Sequence, residues 1–336
     1  MHRFVFGTCV IMFTHAIGVA AVAHATPAVA PAPINYAKAV RHMAWSPDGK
    51  VLAIGVAGEA TVELWSWPAG AAPTRLQRIA WRSPKTGGDA MAITFAPDGQ
   101  TLAVGFSGGL LELFSTAGTH LRTLHSERSD QVRAIAFLPD GNSLLWASGD
   151  GRTRQVDVAS GKLLRELTQL PGPVRAYAVA VSPDGRFAVT VGMAATALLH
   201  DLKAGTAVVL PPLNASASEL RFASFSPDGK TVFASGANAG LVGWKLTDRV
   251  ARYVGSCTWY DIVAGAPIAC GSGDELAFID VETERGAGAP LPDLPIDLST
   301  LVYTKDGKRV ILADDDGGVR VFDTVARTLD GAPLTP

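Results

Sequence analysis

The residue with the clearest catalytic spacing is Ser107, because Gly105, Ser107 and Gly109 follow the Gly-x-Ser-x-Gly pattern of hydrolase nucleophiles. In those enzymes the serine lies on a sharp turn from a strand into a helix, close to a histidine and an acid. Here the pattern separates two short apolar segments that predict strands, and no helix is predicted on either side. We therefore interpret residues 105–109 as a glycine-rich turn between strands.

Carboxylates and histidines are the other candidates for chemistry. Asp314, Asp315 and Asp316 could supply oxygen ligands to a cation. Turns at equivalent places in the chain are also polar and rich in glycine, which favours a solvated turn. The histidines that follow the N-terminal segment have no ligand spacing, and they are His42, His120, His125 and His200. The sequence therefore predicts no metal site and no cofactor.

Composition and charge exclude one class of function. The net charge is −2 at pH 7, and 18% of the residues are charged, so the chain lacks the basic field that nucleic acid binding requires. Hydrophobic residues make up 48% of the chain, which is enough to build a core. We expect a globular protein that does not bind nucleic acid.

The N-terminal segment has the features of a secretory signal peptide. A positively charged start is followed by an apolar run over residues 4–22, and small residues precede a predicted cleavage site after Ala25. Residues 1–25 are therefore the predicted signal peptide, residues 26–37 an Ala/Pro-rich leader, and residues 38–336 a single domain. A retained membrane anchor is the alternative, because the apolar run is nearly long enough to span a bilayer. We expect a periplasmic or secreted protein that is not inserted in the membrane after cleavage.

A turn motif repeats along the rest of the chain. Each copy places Pro, Asp and Gly in succession; the proline fixes φ, the aspartate bonds to the backbone and the glycine tolerates positive φ, so the motif closes a hairpin. Successive motifs are 50, 42, 44 and 44 residues apart, and a variant turn follows after another 78. The first residues of these six turns are Pro47, Pro97, Pro139, Pro183, Pro227 and Lys305.

The spacing of the turns predicts the number of repeats. The last interval equals two periods of 39 residues, so one unit has lost its turn and the count is seven. Each unit then has about 44 residues, which is the length of a four-stranded propeller blade. The segments after the turns are apolar on both faces, as expected for sheets packed between other sheets. The sequence predicts an all-β fold, a seven-bladed β-propeller of four-stranded antiparallel blades whose sixth blade is degenerate.

The ends of the third strands carry a resemblance to a known family. Trp65, Trp244 and Phe322 close these strands, and Ser-Pro-Asp-Gly-Lys stands upstream in two units. This pattern resembles WD40-repeat β-propellers, particularly bacterial ones, over about residues 38–331. Residues 44–50 also resemble the repeats of TolB-type periplasmic propellers. The Gly-His dipeptide of the family is absent and a full Trp-Asp pair never occurs, so we expect the family's hydrogen-bonded tetrad to be missing.

The sixth unit has to form its first hairpin without the Pro-Asp-Gly turn. We predict strands over residues 259–263 and 267–270, an arrangement that brings Cys257 and Cys270 together. A pair of cysteines in an exported protein is commonly bridged. We therefore predict a disulfide, with two buried free thiols as the alternative.

Arginines recur at one position of the repeat. Arg41, Arg133 and Arg221 lie six residues before a turn proline, and Arg175 lies eight before one. In the topology of the family these positions begin the innermost strands, so the resemblance implies a cluster at one mouth of the central channel. The aromatic residues of this mouth are Tyr177, Trp259 and Tyr260. Clustered arginine suits carboxylate or phosphate, and arginine with aromatic residues is typical of binding hot spots. The alternative is that these arginines cover the rim and pair with acids.

These observations favour one function and leave two alternatives. The favoured hypothesis is a monomeric, non-catalytic platform that binds another protein or peptide, because stiff proline-rich loops present a preorganised face. The first alternative is binding of a small anionic or sugar ligand at the Arg/aromatic channel mouth. The second is a hydrolase or lactonase, for which the channel is poorly equipped because Asp261 and Asp297 are the only acids near the inner-strand starts.

One outer strand position in the last blade can be filled from either end of the chain. Residues 327–329 could complete the blade after its third strand, or residues 34–36 could close the ring from the N-terminal side. We favour residues 327–329, because outer strands follow third strands in the other units.

Overall fold

The computed structural model describes residues 34–333 apart from 37, 60, 69–72, 81–87, 126–130, 173, 214–217, 237, 284, 292–293 and 330–331. Within these residues the strands form seven antiparallel sheets that are the blades of a propeller, which confirms the predicted fold class. The predicted signal peptide and most of the predicted leader lie outside the described residues. In the described part of the chain, no helix is long and apolar enough to cross a membrane.

Strands follow one another from the innermost to the outermost position of each blade. Blade one contains β2 (Val40–Trp45), β3 (Val51–Val56), β4 (Thr61–Ser66) and β5 (Thr74–Ala80). The strands of blades two to four are β6 (Ala90–Phe95), β7 (Thr101–Phe106), β8 (Leu111–Ser115), β9 (His120–His125), β10 (Val132–Phe137), β11 (Ser143–Ser148), β12 (Thr153–Asp157), β13 (Leu163–Glu166), β14 (Ala176–Val181), β15 (Phe187–Gly192), β16 (Ala197–Asp201) and β17 (Thr206–Leu210).

Blades five to seven complete the ring. Their strands are β18 (Phe222–Phe225), β19 (Thr231–Gly236), β20 (Gly240–Lys245), β21 (Ala251–Gly255), β22 (Trp259–Asp261), β23 (Ile268–Ser272), β24 (Glu275–Ile279), β25 (Leu298–Tyr303), β26 (Arg309–Asp314), β27 (Gly318–Asp323) and β28 (Thr328–Leu329). Two further short strands, β1 (Ile34–Asn35) and β29 (Ala332–Pro333), belong to blade seven.

The repeated turns adopt the predicted hairpin chemistry. In blade one, Ser46 Oγ donates to Asp48 Oδ1 at 2.7 Å, and the backbone N–H of Lys50 donates to the same oxygen at 3.1 Å. These hydrogen bonds favour the charged form and hold the pKa of Asp48 below its usual range. The pairs that repeat the hydroxyl-to-carboxylate bond are Ser182 with Asp184, Ser226 with Asp228 and Thr304 with Asp306.

The hydrophobic core lies between neighbouring blades. Around the fully buried Trp244 it combines Val191 and Leu199 of blade four with Phe225 and Val232 of blade five. Second strands are buried on both faces, as their apolar sequences predict, because each is covered by the blades on either side. Propeller stability therefore depends on contacts between sheets as well as on the hydrogen bonds within them.

A short hydrogen-bonded chain crosses one blade interface. His200 occupies the position of the family's tryptophan, and its Nε2 lies 3.1 Å from Thr190 Oγ1. Thr190 Oγ1 in turn lies 2.9 Å from Thr153 Oγ1 in blade three. Burial, with a smaller effect of Arg165, lowers the pKa of His200 to about 4, so the ring is neutral near pH 7. The side chain thus joins blades three and four in addition to filling space.

Both ends of the described chain close the ring, which corrects the expectation that a single segment would do so. Strand β1 pairs with the first residues of β27, Ile34 opposite Val319, and β28 pairs with its last residues, Phe322 opposite Leu329. Each partner is only two residues long, so the edge of β27 has room for both. Residues 34 and 35 therefore form part of the sheet of blade seven.

A tyrosine fastens the N-terminal segment between blades seven and one. The N–H of Tyr36 donates to the carbonyl of Gly317 at 2.8 Å, and its hydroxyl donates to Glu63 Oε2 at 3.0 Å. Trp65 Nε1 donates to the Tyr36 hydroxyl at 3.0 Å, and Arg75 pairs with Glu63 Oε1 at 3.0 Å. Trp65 Nε1 also lies 3.2 Å from Glu63 Oε2, so three side chains satisfy the buried carboxylate, as a buried charge requires.

Blade six is degenerate, as predicted. Its sheet has three strands, and the outer position is occupied by isolated bridges of Leu276 with Leu291 and of Ile279 with Gly286. The structure joins Cys257 and Cys270 in a disulfide, with their Cα atoms 5.3 Å apart. The bridge ties the start of the innermost strand to the second strand of this blade.

Candidate functional site

Irregular residues mark the start of the innermost strands. In five blades the register of the first strand pair skips one residue near its start, which is a β-bulge. Bulges re-aim a side chain at the edge of a sheet and are common at binding sites. The skipped residues are Arg41, Met91, Arg133, Tyr177 and Ser299. They stand at the sequence position that the arginine spacing singled out.

Blades five and six continue this ring of residues. The N–H of Arg221 donates to the carbonyl of Ser235 at 2.7 Å, and the N–H of Thr258 donates to that of Gly271 at 3.0 Å. Each of the two residues immediately precedes its innermost strand. One position of the repeat therefore stands at the start of the innermost strand in all seven blades, with arginine in blades one, three and five.

The channel mouth contains two cavities that share three lining residues. The larger, about 620 Å³, is bordered by Arg133, Arg175, Tyr177 and Arg221. The smaller, about 210 Å³, is bordered by Arg41, Trp259 and Tyr260. His42, Met43 and Phe222 border both cavities. The structure thus brings the predicted residues to one channel but divides them into two groups.

Tyr177 is the centre of the larger group, which we call the arginine mouth: Arg133, Arg175, Tyr177 and Arg221. The Cζ atoms of Arg133 and Arg221 lie 5.1 and 5.8 Å from the centre of the Tyr177 ring, within the range of cation–π contact. Arg133 also donates through Nη2 to the side chain of Gln131, while its buried Nε has no hydrogen-bond partner among the described residues. The Nε–H of Arg133 is therefore a hydrogen-bond donor that remains unused at the cavity.

Charge at the arginine mouth is only partly compensated. Arg221 Nε pairs with Glu219 Oε1 at 2.5 Å, but Arg133 and Arg175 have no salt bridge with any described residue. Burial lowers the pKa of Arg133, and the positive charges of Arg175 and Arg221 act in the same direction. Three guanidinium groups thus face one carboxylate. The alternative interpretation, in which rim arginines pair with acids, holds for Arg221 but not for Arg133 or Arg175.

The smaller cavity is more constrained. The Tyr260 hydroxyl accepts from Ser224 Oγ at 3.0 Å and donates to the carbonyl of Phe233 at 2.9 Å, so it braces blade six against blade five. Asp261 accepts backbone N–H groups of Ile262 and Tyr303 at 2.8 and 2.7 Å, and burial raises its pKa to about 6. These polar atoms serve the fold, which leaves Arg41 and the Trp259 ring as the groups of this cavity available for binding.

The catalytic candidates do not assemble into a site. Ser107 lies in the turn between β7 and β8, where its Oγ accepts the N–H of Asp89 at 2.9 Å, so it is not on a strand-to-helix elbow. Asp314 Oδ1 accepts the N–H of Gly318 at 2.5 Å, as in a polar turn. No group of three or more potential metal ligands occurs within the described residues. The geometry at the channel offers binding groups.

A second position of the repeat also contributes to the site. Its residues lie two positions before the first set: Gln131 bonds to Arg133, Glu219 bonds to Arg221, and Arg175 precedes Tyr177 by the same interval. Arg175 is therefore equivalent to Gln131 and Glu219, not to the other arginines. Aligning the units at this second position would have shown it.

Comparison with known proteins is consistent with this geometry. Residues 35–66 and 118–157 match the family described as WD domain, G-beta repeat. A stretch of 148 residues, 44% of the chain, is 25% identical to Periodic tryptophan protein 2 homolog of Caenorhabditis elegans and covers 15% of that protein. A stretch of 150 residues, 43% of the chain, is 30% identical to an uncharacterized WD repeat-containing protein of Synechocystis sp. and covers 39% of it. The matched stretches thus span less than half the length of these relatives.

Proposed function

The chain is a WD40-like seven-bladed β-propeller, and we propose that it is a non-catalytic interaction platform that binds an acidic segment of another protein or peptide at the arginine mouth. One observation carries the proposal, namely the excess of positive charge at that mouth. Arg133 and Arg175 border a cavity of about 620 Å³ and have no anionic partner among the described residues.

The chemistry of the mouth favours a carboxylate ligand. A guanidinium group binds a carboxylate through two parallel hydrogen bonds, and the unused donors of Arg133 and Arg175 are available for this. An incoming anion would also relieve the repulsion between the like charges that surround Tyr177. An acidic side chain inserted from a partner supplies the missing charge without a cofactor.

Export of the protein is part of the proposal. The apolar run over residues 4–22 and the small residues before position 26 support a cleaved signal peptide. The disulfide between Cys257 and Cys270 supports an oxidising compartment, because such bonds form and persist there. Both features fit a periplasmic or secreted platform.

Charge-neutralising variants test the arginine mouth. The probe is a fluorescent peptide with four consecutive glutamates, and its glutamine analogue measures binding that does not depend on charge. We expect the Arg133→Ala/Arg175→Ala double variant to bind the glutamate peptide at least about tenfold more weakly, since each lost charged hydrogen bond contributes on the order of 1.5–3 kcal/mol.

A matched control removes the same charge elsewhere. Lys203 and Lys308 are exposed on turns at the other end of the blades, and neither has a salt bridge with a described residue. The Lys203→Ala/Lys308→Ala variant should bind the glutamate peptide about as well as the wild type at 0.15 M salt, where distant charges are screened. Equal affinity of the wild type and the arginine double variant would exclude the arginine mouth as the binding site.

The second candidate function is binding of a small anion or sugar in the same cavity. The observation that favours it is the volume of about 620 Å³, which lies in the range of small-molecule sites. Citrate, inorganic phosphate and glucose can be compared by their effect on thermal unfolding. Saturable stabilisation by one of them, together with no binding of the glutamate peptide, would favour a small ligand over a protein partner.

A further inference from the structure

The Pro-Asp-Gly turns of neighbouring blades contact one another on the propeller face opposite the arginine mouth. A Cβ atom added at Gly185 would lie 3.1 Å from Cδ of Pro139 in the preceding blade. Five turn glycines pack in this way on the first residue of the preceding turn: Gly49 on Lys305, Gly99 on Pro47, Gly141 on Pro97, Gly185 on Pro139 and Gly229 on Pro183. A turn glycine is thus the group that covers the exposed end of these five blade interfaces.

Blade six breaks this series of contacts. Its turn glycine, Gly265, has φ +78, but no atom of the described residues lies within 4 Å of a Cβ added there. The hairpin is one residue shorter than in blade five: Asp261 pairs with Ala269, eight positions away, whereas Ser224 pairs with Phe233, nine positions away. Pro227 of blade five is therefore left without the glycine that would cover it.

The hairpin of blade six packs on blade seven instead. A Cβ added at Gly307 would lie 2.9 Å from Ala266 and 3.4 Å from Val263. Contact is retained on the blade-seven side and lost on the blade-five side. The loss opens a cavity of about 760 Å³ between blades five and six, which we call the blade-five/six cleft. Its walls are Pro227 and Thr231 on one side and residues 263–267 on the other.

We propose that the blade-five/six cleft is a second docking surface and that its occupant is a tight, glycine-containing turn of a partner protein. Five equivalent interfaces of this chain show which group fills the position next to the first residue of a turn, and in each of them it is a turn glycine. Val263, Ala266 and Pro267 are small and apolar, so a turn can approach them closely without leaving polar groups unpaired. This proposal does not depend on the function of the arginine mouth.

Charges at the two walls favour the same occupant. Lys245 lies on the blade-five wall and Glu282 on the blade-six wall, both exposed and without a salt bridge to any described residue. The other charged side chains of the cleft have partners within the chain. Lys230 lies 3.5 Å from Asp228, and Asp280 accepts backbone N–H groups of its own loop. A turn with an acid before its glycine and a base after it, such as Asp-Gly-Lys, matches the charges of both walls.

A cyclic peptide tests the cleft directly. The probe is a fluorescent cyclised peptide that contains Ser-Pro-Asp-Gly-Lys, the sequence of residues 226–230. We expect saturable binding to the intact protein by fluorescence anisotropy. Ala264 is exposed and borders the cleft, so Ala264→Trp should fill the cleft and weaken binding at least about tenfold. Ala204 is exposed on a turn of the same face, and Ala204→Trp should leave the affinity within about twofold.

Three results would overturn the proposal: no saturable binding of the cyclic probe, equal affinity of Ala264→Trp and the wild type, or equal affinity for a linear peptide of scrambled sequence. Ala287→Trp provides a second filling variant on another wall, in case the first one fails to fold. Arg133→Ala should not change binding of the cyclic probe, because the cleft lies on the opposite face. The two proposals therefore fail independently.

Discussion

Removal of one hydroxyl group tests how the propeller is closed. Tyr36→Phe deletes the group that donates to Glu63 Oε2 at 3.0 Å and accepts from Trp65 Nε1 at 3.0 Å. Trp65 Nε1 also lies 3.2 Å from Glu63 Oε2, so the indole keeps a partner. The net loss is one hydrogen bond to a buried carboxylate, about 1.5–3 kcal/mol. We expect the free energy of unfolding to fall by that amount.

Urea unfolding followed by tryptophan fluorescence measures the effect. A fall of that size moves the midpoint to lower urea with little change of slope, because the surface exposed on unfolding stays the same. Tyr253→Phe is the matched control: it also removes a tyrosine hydroxyl that contacts a side chain, that of Ser256, but at an exposed site. Its effect should be below about 0.5 kcal/mol.

A double-mutant cycle measures the coupling between Tyr36 and Glu63. Combining Tyr36→Phe with Glu63→Gln should cost less than the sum of the two single changes, because both remove the same hydrogen bond. If Tyr36→Phe unfolds with the wild-type midpoint, the hydroxyl does not stabilise the closed ring, and closure depends on the backbone pairing of β1 and β28 with β27.

Three further predictions concern the disulfide, the turns and the buried histidine. In protein without residues 1–25, thiol labelling under denaturing conditions should find no reactive thiol before reduction and two after it. Two reactive thiols before reduction would contradict the bridge. Because the cysteines are 13 residues apart, Cys257→Ser/Cys270→Ser should lower the free energy of unfolding by about 3 kcal/mol. Gly185→Ala should destabilise the protein by about 1 kcal/mol more than Gly205→Ala, because both glycines have φ +70 but only Gly185 packs on a neighbouring turn. Equal urea midpoints of the two variants would contradict that contact. The pKa of His200 in the folded protein is about 4, below its unfolded value, so its contribution to stability is present above about pH 6.5 and is lost as the pH falls through 4. Between pH 7 and pH 4 the free energy of unfolding of the wild type should fall by about 3 kcal/mol more than that of His200→Phe. Equal decreases in the two proteins would show that His200 is not buried as a neutral ring.

Much of the fold could be predicted because its signals are local. The Pro-Asp-Gly turn is specified by three consecutive residues, so its recurrence predicts both the hairpins and the number of blades. The missing turn at residues 257–270 predicts a degenerate blade and places the two cysteines together for the same reason. Such features need no knowledge of how distant segments meet.

Other features depend on contacts between distant segments and had no comparable signal. The hydrogen bond of Tyr36 to Glu63 joins residues that lie 27 positions apart, and the edge of β27 is shared by segments from both ends of the described chain. The spacing of the arginines predicted Arg41, Arg133 and Arg221 as one set. It could not show that Arg41 borders a different cavity from the other two, because that depends on how seven blades surround the channel.

The measurement that tests the central claim most directly is a reversal of charge at the arginine mouth. The wild type should bind the peptide of four glutamates in preference to a peptide of four lysines. Arg133→Glu/Arg175→Glu should invert that preference, since four units of charge change at the cavity wall while the shape of the propeller is kept. If the double variant still prefers the glutamate peptide, acidic segments bind elsewhere on the protein and the arginine mouth is not the interaction site.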